Sequence, residues 1–323
     1  MFQTELIRIL QTLESGFMTG FLQAVSFLGD GDTLPFLLLG IMFGFHLRAG
    51  FILFQSWIWA VTANGVLKAH LRLPRPFHVD GMVRTFGIPA AAIPPMVPQT
   101  TSGFFSIPSA VSSSSAGFAF PSGHCAGTAA WAGALFALIR RPMARVLLVV
   151  WMLLMAISRL YLGRHFPADV LAGTLIGLAA ALLVVSTTGR SITLKWWLEH
   201  PFSGFRPGWR RPLVLVAALG GPLIILLIPK AYASAAARLL GLNLGFLWVW
   251  WRGLPQEGGS FRQRLARTCL GIMVYALVFY TPDLLSGGSG TTIGVDILRH
   301  FLAPFAALAA GIPLAIRFGV WSR

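Results

Sequence analysis

Long apolar stretches recur along this chain and constrain its fold more than any other feature. Apolar residues make up 56% of the 323 residues and charged residues only 11%, and the mean hydropathy is +0.74. Soluble globular domains do not have such a composition. An apolar run of about 20 residues needs lipid around it, where a helix satisfies its own backbone hydrogen bonds. The sequence therefore predicts an all-α, polytopic helical membrane protein.

Apolar runs bounded by charge, Gly or Pro predict about nine transmembrane helices. They lie near residues 32–47, 50–71, 122–139, 145–162, 168–188, 212–229, 232–251, 265–282 and 293–317. Charged side chains interrupt the earlier stretch at residues 3–29, which favours an interfacial amphipathic helix over a tenth span. The predicted regions are an N-terminal interfacial helix (1–31), a core (32–189) with an outer loop (77–120), a basic cytoplasmic linker (190–211) and a C-terminal four-helix region (212–323).

Basic residues far outnumber acidic ones, and the formal net charge is +15. The 22 Arg and 3 Lys occur mostly in short runs between apolar segments, as the positive-inside rule predicts for cytoplasmic loops. The charge therefore indicates topology, and we expect no nucleic-acid partner. The preference for Arg over Lys suggests a GC-rich bacterial genome. We predict a multi-pass protein of the bacterial cytoplasmic membrane.

Three clusters break the charge rule, because they lie at the predicted outer ends of spans. The first cluster contains Lys68, Arg75 and Pro76, where Pro74 ends the helix. A Lys point charge and an Arg fork together suit phosphate oxygens. The alternative is that these basic side chains extend to the interface from a helix end.

The second cluster is the run Pro121-Ser122-Gly123-His124, immediately before a helix of small residues. A helix N-terminus offers N–H groups to an anion, Ser122 can cap or donate, and Gly123 allows close approach of the backbone. His124 is suited to proton transfer near neutral pH. Taken alone, the run also fits a simple turn and cap.

The third cluster contains Ser158, Arg159, His165 and Asp169. Four residues separate His165 from Asp169, so the carboxylate can orient one ring nitrogen and leave the other as a nucleophile. The alternative is an acidic residue at a helix start with a nearby capping His. Several cations and two imidazoles without a carboxylate cluster indicate a phosphate-bearing substrate, and we expect no metal and no cofactor.

Taken together, the clusters resemble the three-part signature of the type 2 phosphatidic acid phosphatase superfamily. The pattern K-x6-RP matches Lys68 to Pro76, PSGH matches Pro121 to His124, and SR-x5-H-x3-D matches Ser158 to Asp169. The resemblance covers roughly residues 32–188 and implies a helical-bundle phosphatase core. The additional C-terminal spans are similar in number and order to those of glucose-6-phosphatases and sphingosine-1-phosphate phosphatases. No motif assigns chemistry to that half, which we expect to form a packing or homodimer surface.

The resemblance implies metal-independent hydrolysis of a phosphate ester through a phosphohistidine. In that scheme His165 attacks phosphorus, Asp169 orients it, and His124 protonates the leaving oxygen and later activates water. The residues implied to bind the phosphoryl oxygens are Lys68, Arg75, Ser122, Gly123 and Arg159.

Lateral access from the bilayer favours a lipid phosphate as substrate, with the site facing the periplasm or exterior. Phosphatidate, phosphatidylglycerol phosphate, a sphingoid phosphate and an isoprenyl diphosphate all fit the pattern. Hydrolysis of a soluble phosphate, or phosphoryl transfer to another lipid, is an alternative enzyme activity. A transporter or flippase for an anionic lipid is the non-enzyme alternative. The loop at 77–120 is either an apolar lid over the site or a disordered connection.

Overall fold

The computed structural model describes residues 2–87, 118–189, 219–225, 233–285 and 292–322. The described residues form helices joined by short turns, and no strand occurs among them. The helices are α1 (Phe2–Thr12), α2 (Gly16–Leu28), α3 (Leu34–Gly44), α4 (Leu47–Leu71), α5 (Pro76–Val79), α6 (Gly123–Leu138), α7 (Pro142–Tyr161), α8 (Pro167–Gly189), α9 (Ala233–Arg252), α10 (Phe261–Leu285), α11 (Ile293–Ala309) and α12 (Gly311–Arg317). The predicted all-α class is confirmed.

Six stretches in the described ranges are long and apolar enough to cross a membrane, which supports a multi-pass membrane protein. They are Leu47–Val79, Pro142–Tyr161, Pro167–Ser186, Ala233–Arg252, Phe261–Leu285 and Ile293–Arg317. Helices α3 and α6 correspond to predicted spans but have only 11 and 16 residues. Most of the span predicted at 212–229, the linker at 190–211 and most of the outer loop lie outside the described residues. The count of nine stays a prediction.

The chain divides into two compact units. The first contains Met1–Leu34 and Trp59–Val185, and the second contains Pro35–Ile58 and Ser186–Arg323. This differs from the predicted regions, because residues 35–58 group with the C-terminal half. Long-range hydrogen bonds explain the grouping, since Arg267 donates to the carbonyl oxygens of Phe43 and Gly44 in the second unit.

The N-terminal region forms two helices where the sequence predicts a single interfacial helix. The side chain of Ser15 caps α2 by accepting the N–H of Met18 at 3.1 Å, which separates α2 from α1. In the first unit α2 packs on α7, where Leu22 lies against Tyr161. The N-terminal residues therefore contribute to the core of this unit.

Two glycines one turn apart bring α8 against the chain that begins α6. A Cβ on Gly173 would lie 2.3 Å from the carbonyl oxygen of Ser122, and a Cβ on Gly177 would lie 2.3 Å from that of Ala126. Glycine at a four-residue spacing lets two membrane helices approach closely. This contact fixes the start of α6 beside the start of α8.

Candidate active site

Two cations of the first cluster are buried at the end of α4. The side chains of Lys68 and Arg75 are each only 6% exposed. Helix α4 ends at Leu71, and the non-helical residues that follow, of which Arg72 has a φ of 47°, place Arg75 immediately before the short helix α5. The Nε of Arg75 is buried and has no hydrogen-bond partner among the described residues.

The second cluster forms the N-terminus of α6. Ser122 is the N-cap, fully buried, and its Oγ accepts the N–H of Cys125 at 3.5 Å. The N–H groups of the next two residues, Gly123 and His124, belong to the first helical turn, where the helix supplies no acceptor. The helix dipole adds partial positive charge at the same place. The start of α6 is therefore suited to bind an anion.

The third cluster pairs His165 with Asp169 at the start of α8. The Nδ1 of His165 lies 3.5 Å from Oδ2 of Asp169, and the side chain of His165 is 2% exposed. The same Oδ2 accepts the backbone N–H of Phe166 at 2.8 Å. That hydrogen bond caps the helix and holds the carboxylate beside the ring. Because Nδ1 faces the carboxylate, Nε2 is the nitrogen left for chemistry.

The turn between α7 and α8 depends on a glycine. Gly163 has a φ of +69°, and a Cβ there would lie 2.3 Å from the carbonyl oxygen of Arg84. Both features exclude an ordinary side chain. The chain can then reverse over the five residues between α7 and α8, which contain His165, after Arg159 in the last turn of α7.

A residue of α2 holds the buried cation of α7. The guanidinium Nη1 of Arg159 donates to Oγ of Ser26, and both side chains are buried. Sequence reasoning missed Ser26, because a lone serine in an apolar helix carries no motif. The Nε of Arg159 finds no acceptor in the described part of the chain.

Positive charge dominates around the His–Asp pair. Lys68, Arg75 and Arg159 are buried cations of the first unit, and Asp169 is the one buried carboxylate in its described part. Burial of a charge is costly unless it is paired. An anion in this site would pair the excess cations, and a phosphoryl group would also meet the N–H groups of α6.

The same positive charges lower the pKa of His165, the candidate nucleophile. His165 lies in the turn outside the membrane-spanning segments, and burial lowers its pKa well below the usual range. The positive charges of Arg159, Lys68 and Arg75 lower the pKa of His165 further. The ring is therefore neutral at pH 7, which is the form with a lone pair for attack.

The structure brings the eight predicted site residues into the first unit. The charges of Lys68, Arg75, Arg159 and His124 reach His165, and Ser122 joins the pair through a hydrogen bond from its N–H to the carbonyl oxygen of Asp169. Gly123 follows Ser122 at the helix start.

Within the described ranges, no three His, Cys, Asp or Glu side chains are grouped to hold a metal ion. The expectation of metal-free chemistry stays a prediction.

Comparison with known proteins finds similarity over the part of the chain that contains the three clusters. Residues 49–192 match the family model described as the PAP2 superfamily. Phosphatidylglycerophosphatase B of Escherichia coli is 34% identical over 161 residues, which cover 44% of this chain and 62% of that protein. The match therefore spans less than two thirds of the relative's length. The lipid A 4'-phosphatase of Bacteroides thetaiotaomicron is 41% identical over 61 residues, or 19% of this chain and 27% of that protein.

Among solved structures, the crystal structure of Aquifex aeolicus LpxE superposes with a TM-score of 0.45 and 21% sequence identity. The superposition covers 58% of this chain and 96% of the LpxE chain. The similarity of the C-terminal spans to those of glucose-6-phosphatases stays a prediction. The matched region contains all three clusters, so the resemblance is confirmed. Residues 49–192 of this chain, somewhat less than half of its length, are similar to the PAP2 superfamily.

Proposed function

We propose that this protein is an integral membrane phosphatase that hydrolyses a lipid phosphate monoester or diphosphate through a phosphohistidine intermediate, without a metal ion. One observation carries the proposal. The described part of the first unit buries three cations and one carboxylate around a neutral His165 that faces Asp169. Such a site binds a phosphoryl group and offers a nucleophile to it.

In the first step, Nε2 of His165 attacks phosphorus, and the bond from phosphorus to the ester oxygen breaks as the bond to nitrogen forms. His124 donates a proton to the leaving oxygen. Asp169 accepts the Nδ1–H of the phosphorylated ring and stabilises its positive charge. The cations and the N–H groups of α6 stabilise the charge on the phosphoryl oxygens.

In the second step, a water molecule replaces the leaving alcohol. His124, now neutral, takes a proton from water, and the oxygen attacks phosphorus as the phosphorus–nitrogen bond breaks. Inorganic phosphate leaves, and His165 returns to its neutral form. The cycle therefore needs a protonated His124 beside a neutral His165. Burial and the charges of Arg159 and Lys68 lower the pKa of His124 in the site without phosphate, and the negative charge of a bound phosphoryl group acts in the opposite direction.

Lipid substrates are supported by the surroundings of the site and by the relatives. Helices α7 and α8 expose apolar side chains such as Leu153, Leu171 and Leu175, as helices in contact with acyl chains do. The relatives are named as phosphatases of phosphatidylglycerol phosphate and of lipid A. A lipid could reach the site laterally from the bilayer.

The proposed location is the cytoplasmic membrane of a bacterium, with the site facing the periplasm or exterior. The matched relatives come from bacteria. In the topology predicted from the sequence, the Arg-rich loops lie on the side opposite the three clusters, and the positive-inside rule predicts that such loops are cytoplasmic. If the site faces the periplasm or exterior, intact spheroplasts should hydrolyse a membrane-impermeant phosphate substrate. If it faces the cytoplasm, inverted vesicles should hydrolyse that substrate instead.

The experiment is phosphate release in detergent with EDTA present. Wild type, His165→Ala and a control, His70→Ala, are compared on lipid monophosphates, a lipid diphosphate and one soluble sugar phosphate. His70 is exposed at the end of α4, so its loss should leave release unchanged. Radiolabelled substrate quenched in alkali should label wild type and not His165→Ala, because a phosphohistidine is stable in base and labile in acid.

The ranking across the panel identifies the substrate class. A preference for the sugar phosphate would favour the soluble-phosphate alternative, and label passed to an added lipid alcohol would favour phosphoryl transfer. Folded wild-type protein that binds these lipids without releasing phosphate would overturn the proposal and support transport. Release abolished by EDTA would overturn the metal-free mechanism.

A further inference from the structure

A buried amide lies beside the start of α6. Asn64 precedes Lys68 by four residues on α4, so both side chains lie on the same helix face. Asn64 is 4% exposed. A Cβ on Gly123 would lie 3.4 Å from its Oδ1, which places the amide against the residue that precedes His124. Asn64 is thus next to both the first and the second cluster.

The amide nitrogen of Asn64 has no acceptor in the described structure, although it is buried. The other buried side-chain amide in the described part of this unit, that of Gln11, is satisfied. Nε2 of Gln11 donates to the carbonyl oxygens of Arg84 and Tyr161 at 2.8 and 2.9 Å. A buried donor without a partner costs free energy, and such groups are rare unless a ligand takes the hydrogen bond.

The position of this donor matches what the site needs. Phosphoryl transfer spreads negative charge over three equatorial oxygens, and each oxygen accepts more than one hydrogen bond. The three buried cations already supply charge, and a neutral amide adds a directed donor without further repulsion among them. Three guanidinium nitrogens of the first unit also lack partners among the described residues, namely Nε of Arg75, of Arg159 and of Arg164.

We propose that Asn64 is a further residue of the phosphate site and that its Nδ2 donates a hydrogen bond to a non-bridging phosphoryl oxygen. The inference rests on the proposed function. Asn64 then belongs to the same binding surface as Lys68 on α4 and Gly123 on α6. Removal of the donor should weaken binding of phosphate and of the transition state, and it should leave the fold intact.

The test compares three variants with wild type. Asn64→Leu removes the donor at similar volume, and Asn64→Asp keeps the shape but adds a negative charge. Gln11→Leu removes a buried amide that the protein itself satisfies. The measurements are kcat/KM, the inhibition constant of inorganic phosphate, and the thermal midpoint with and without inorganic phosphate.

Asn64→Leu should lower kcat/KM about 10²- to 10³-fold, as loss of one oxyanion donor does in other enzymes. It should raise the inhibition constant of phosphate and leave the midpoint without phosphate unchanged or higher, because an unsatisfied donor is gone. Asn64→Asp should lower kcat/KM further than Asn64→Leu does, since a carboxylate repels the anion. Gln11→Leu should lower the midpoint and keep kcat/KM of the folded protein close to wild type.

Two results separate this inference from the proposed function. If wild type releases phosphate and Asn64→Leu has an unchanged kcat/KM and inhibition constant, Asn64 has no role in the site and only this inference fails. If wild type releases none, the proposed function fails, and stabilisation by inorganic phosphate still tests Asn64. Equal stabilisation of wild type and Asn64→Leu by phosphate would then overturn the inference.

Discussion

The backbone N–H of Ser122 donates to the backbone carbonyl oxygen of Asp169 over 3.0 Å. This hydrogen bond joins the second and third clusters without any side chain. The residue that caps α6 and the carboxylate beside His165 are therefore held at a fixed separation. Gly173 completes the arrangement, because its missing Cβ leaves room for the carbonyl group of Ser122.

Gly173→Ala should disrupt the fold and the site together. Its Cβ would lie 2.3 Å from a backbone oxygen, which cannot rotate away as a side chain can. Overpacking of this kind costs about 1–3 kcal/mol. Thermal unfolding in detergent should show a lower midpoint, and phosphate release should fall with it. The control is Gly20→Ala, where a Cβ meets nothing within 4 Å and a helical Ala should not destabilise. Equal midpoints for the two variants would contradict the close contact.

Asp169→Asn should reduce catalysis with little change in stability. An Asn oxygen can still accept the N–H of Phe166, so the start of α8 keeps its cap. The neutral amide cannot stabilise a positively charged His165, and kcat should fall about 10²- to 10⁴-fold. Single-turnover phosphate release and the thermal midpoint measure the two effects separately. A midpoint that falls as far as in Asp169→Ala would show a structural role instead.

The pH dependence should reflect a neutral His165. Since its folded pKa lies well below 6.5, the ring should stay nucleophilic below pH 6.5, and the acidic limb of kcat/KM set by His165 should lie there. The unfolded chain takes up this proton near pH 6.5, so the stability contributed by the neutral ring is lost as pH falls below that value. The measurement is the free energy of unfolding of wild type and of His165→Gln between pH 5 and 7.5. The difference between the two proteins gives the contribution of the neutral ring. A wild-type stability that rises on acidification relative to His165→Gln would contradict the sign.

Ser26→Ala should lower catalytic activity, although Ser26 lies on α2, which contains none of the three motifs. The substitution removes the hydroxyl that accepts from Arg159, so the guanidinium loses one constraint on its position. We expect kcat/KM to fall about tenfold, equivalent to about 1.4 kcal/mol in the barrier. A matched control is Thr12→Ala at the exposed end of α1, whose hydroxyl donates to the nearby carbonyl oxygen of Ile9. An identical response of both variants would remove Ser26 from the site.

The sequence predicts the local parts of this structure better than the long-range ones. Hydropathy depends on each stretch by itself, so the helical class and most helix positions follow from it. The three clusters also lie at helix ends, where Pro74, Ser122 and Pro167 are recognisable breakers or caps. The pairing of His165 with Asp169 follows from a spacing of four residues, although only the structure identifies Nδ1 as the nitrogen that faces the carboxylate.

Contacts between distant segments could not be predicted in this way. Ser26 and Asn64 lie outside the three motifs, and the four-residue spacing of Asn64 from Lys68 is the one sequence signal that connects it with them. The pair Gly173 and Gly177 does carry a recognisable small-residue spacing, which could have predicted the approach of α8 to α6. The grouping of residues 35–58 with the C-terminal half depends on hydrogen bonds across more than 200 positions, which no local pattern encodes.

Those hydrogen bonds impose an order on biogenesis. The carbonyl groups at the end of α3 accept from Arg267, which the ribosome adds 224 residues after Phe43. At the usual rates of synthesis the nascent chain waits on the order of 10 to 50 s for that partner. Helix α3, with only 11 residues, is synthesised well before the side chain that binds its last carbonyl groups. During that interval the two carbonyl groups need another hydrogen-bond donor, whereas the three clusters are already complete once residue 169 has been added.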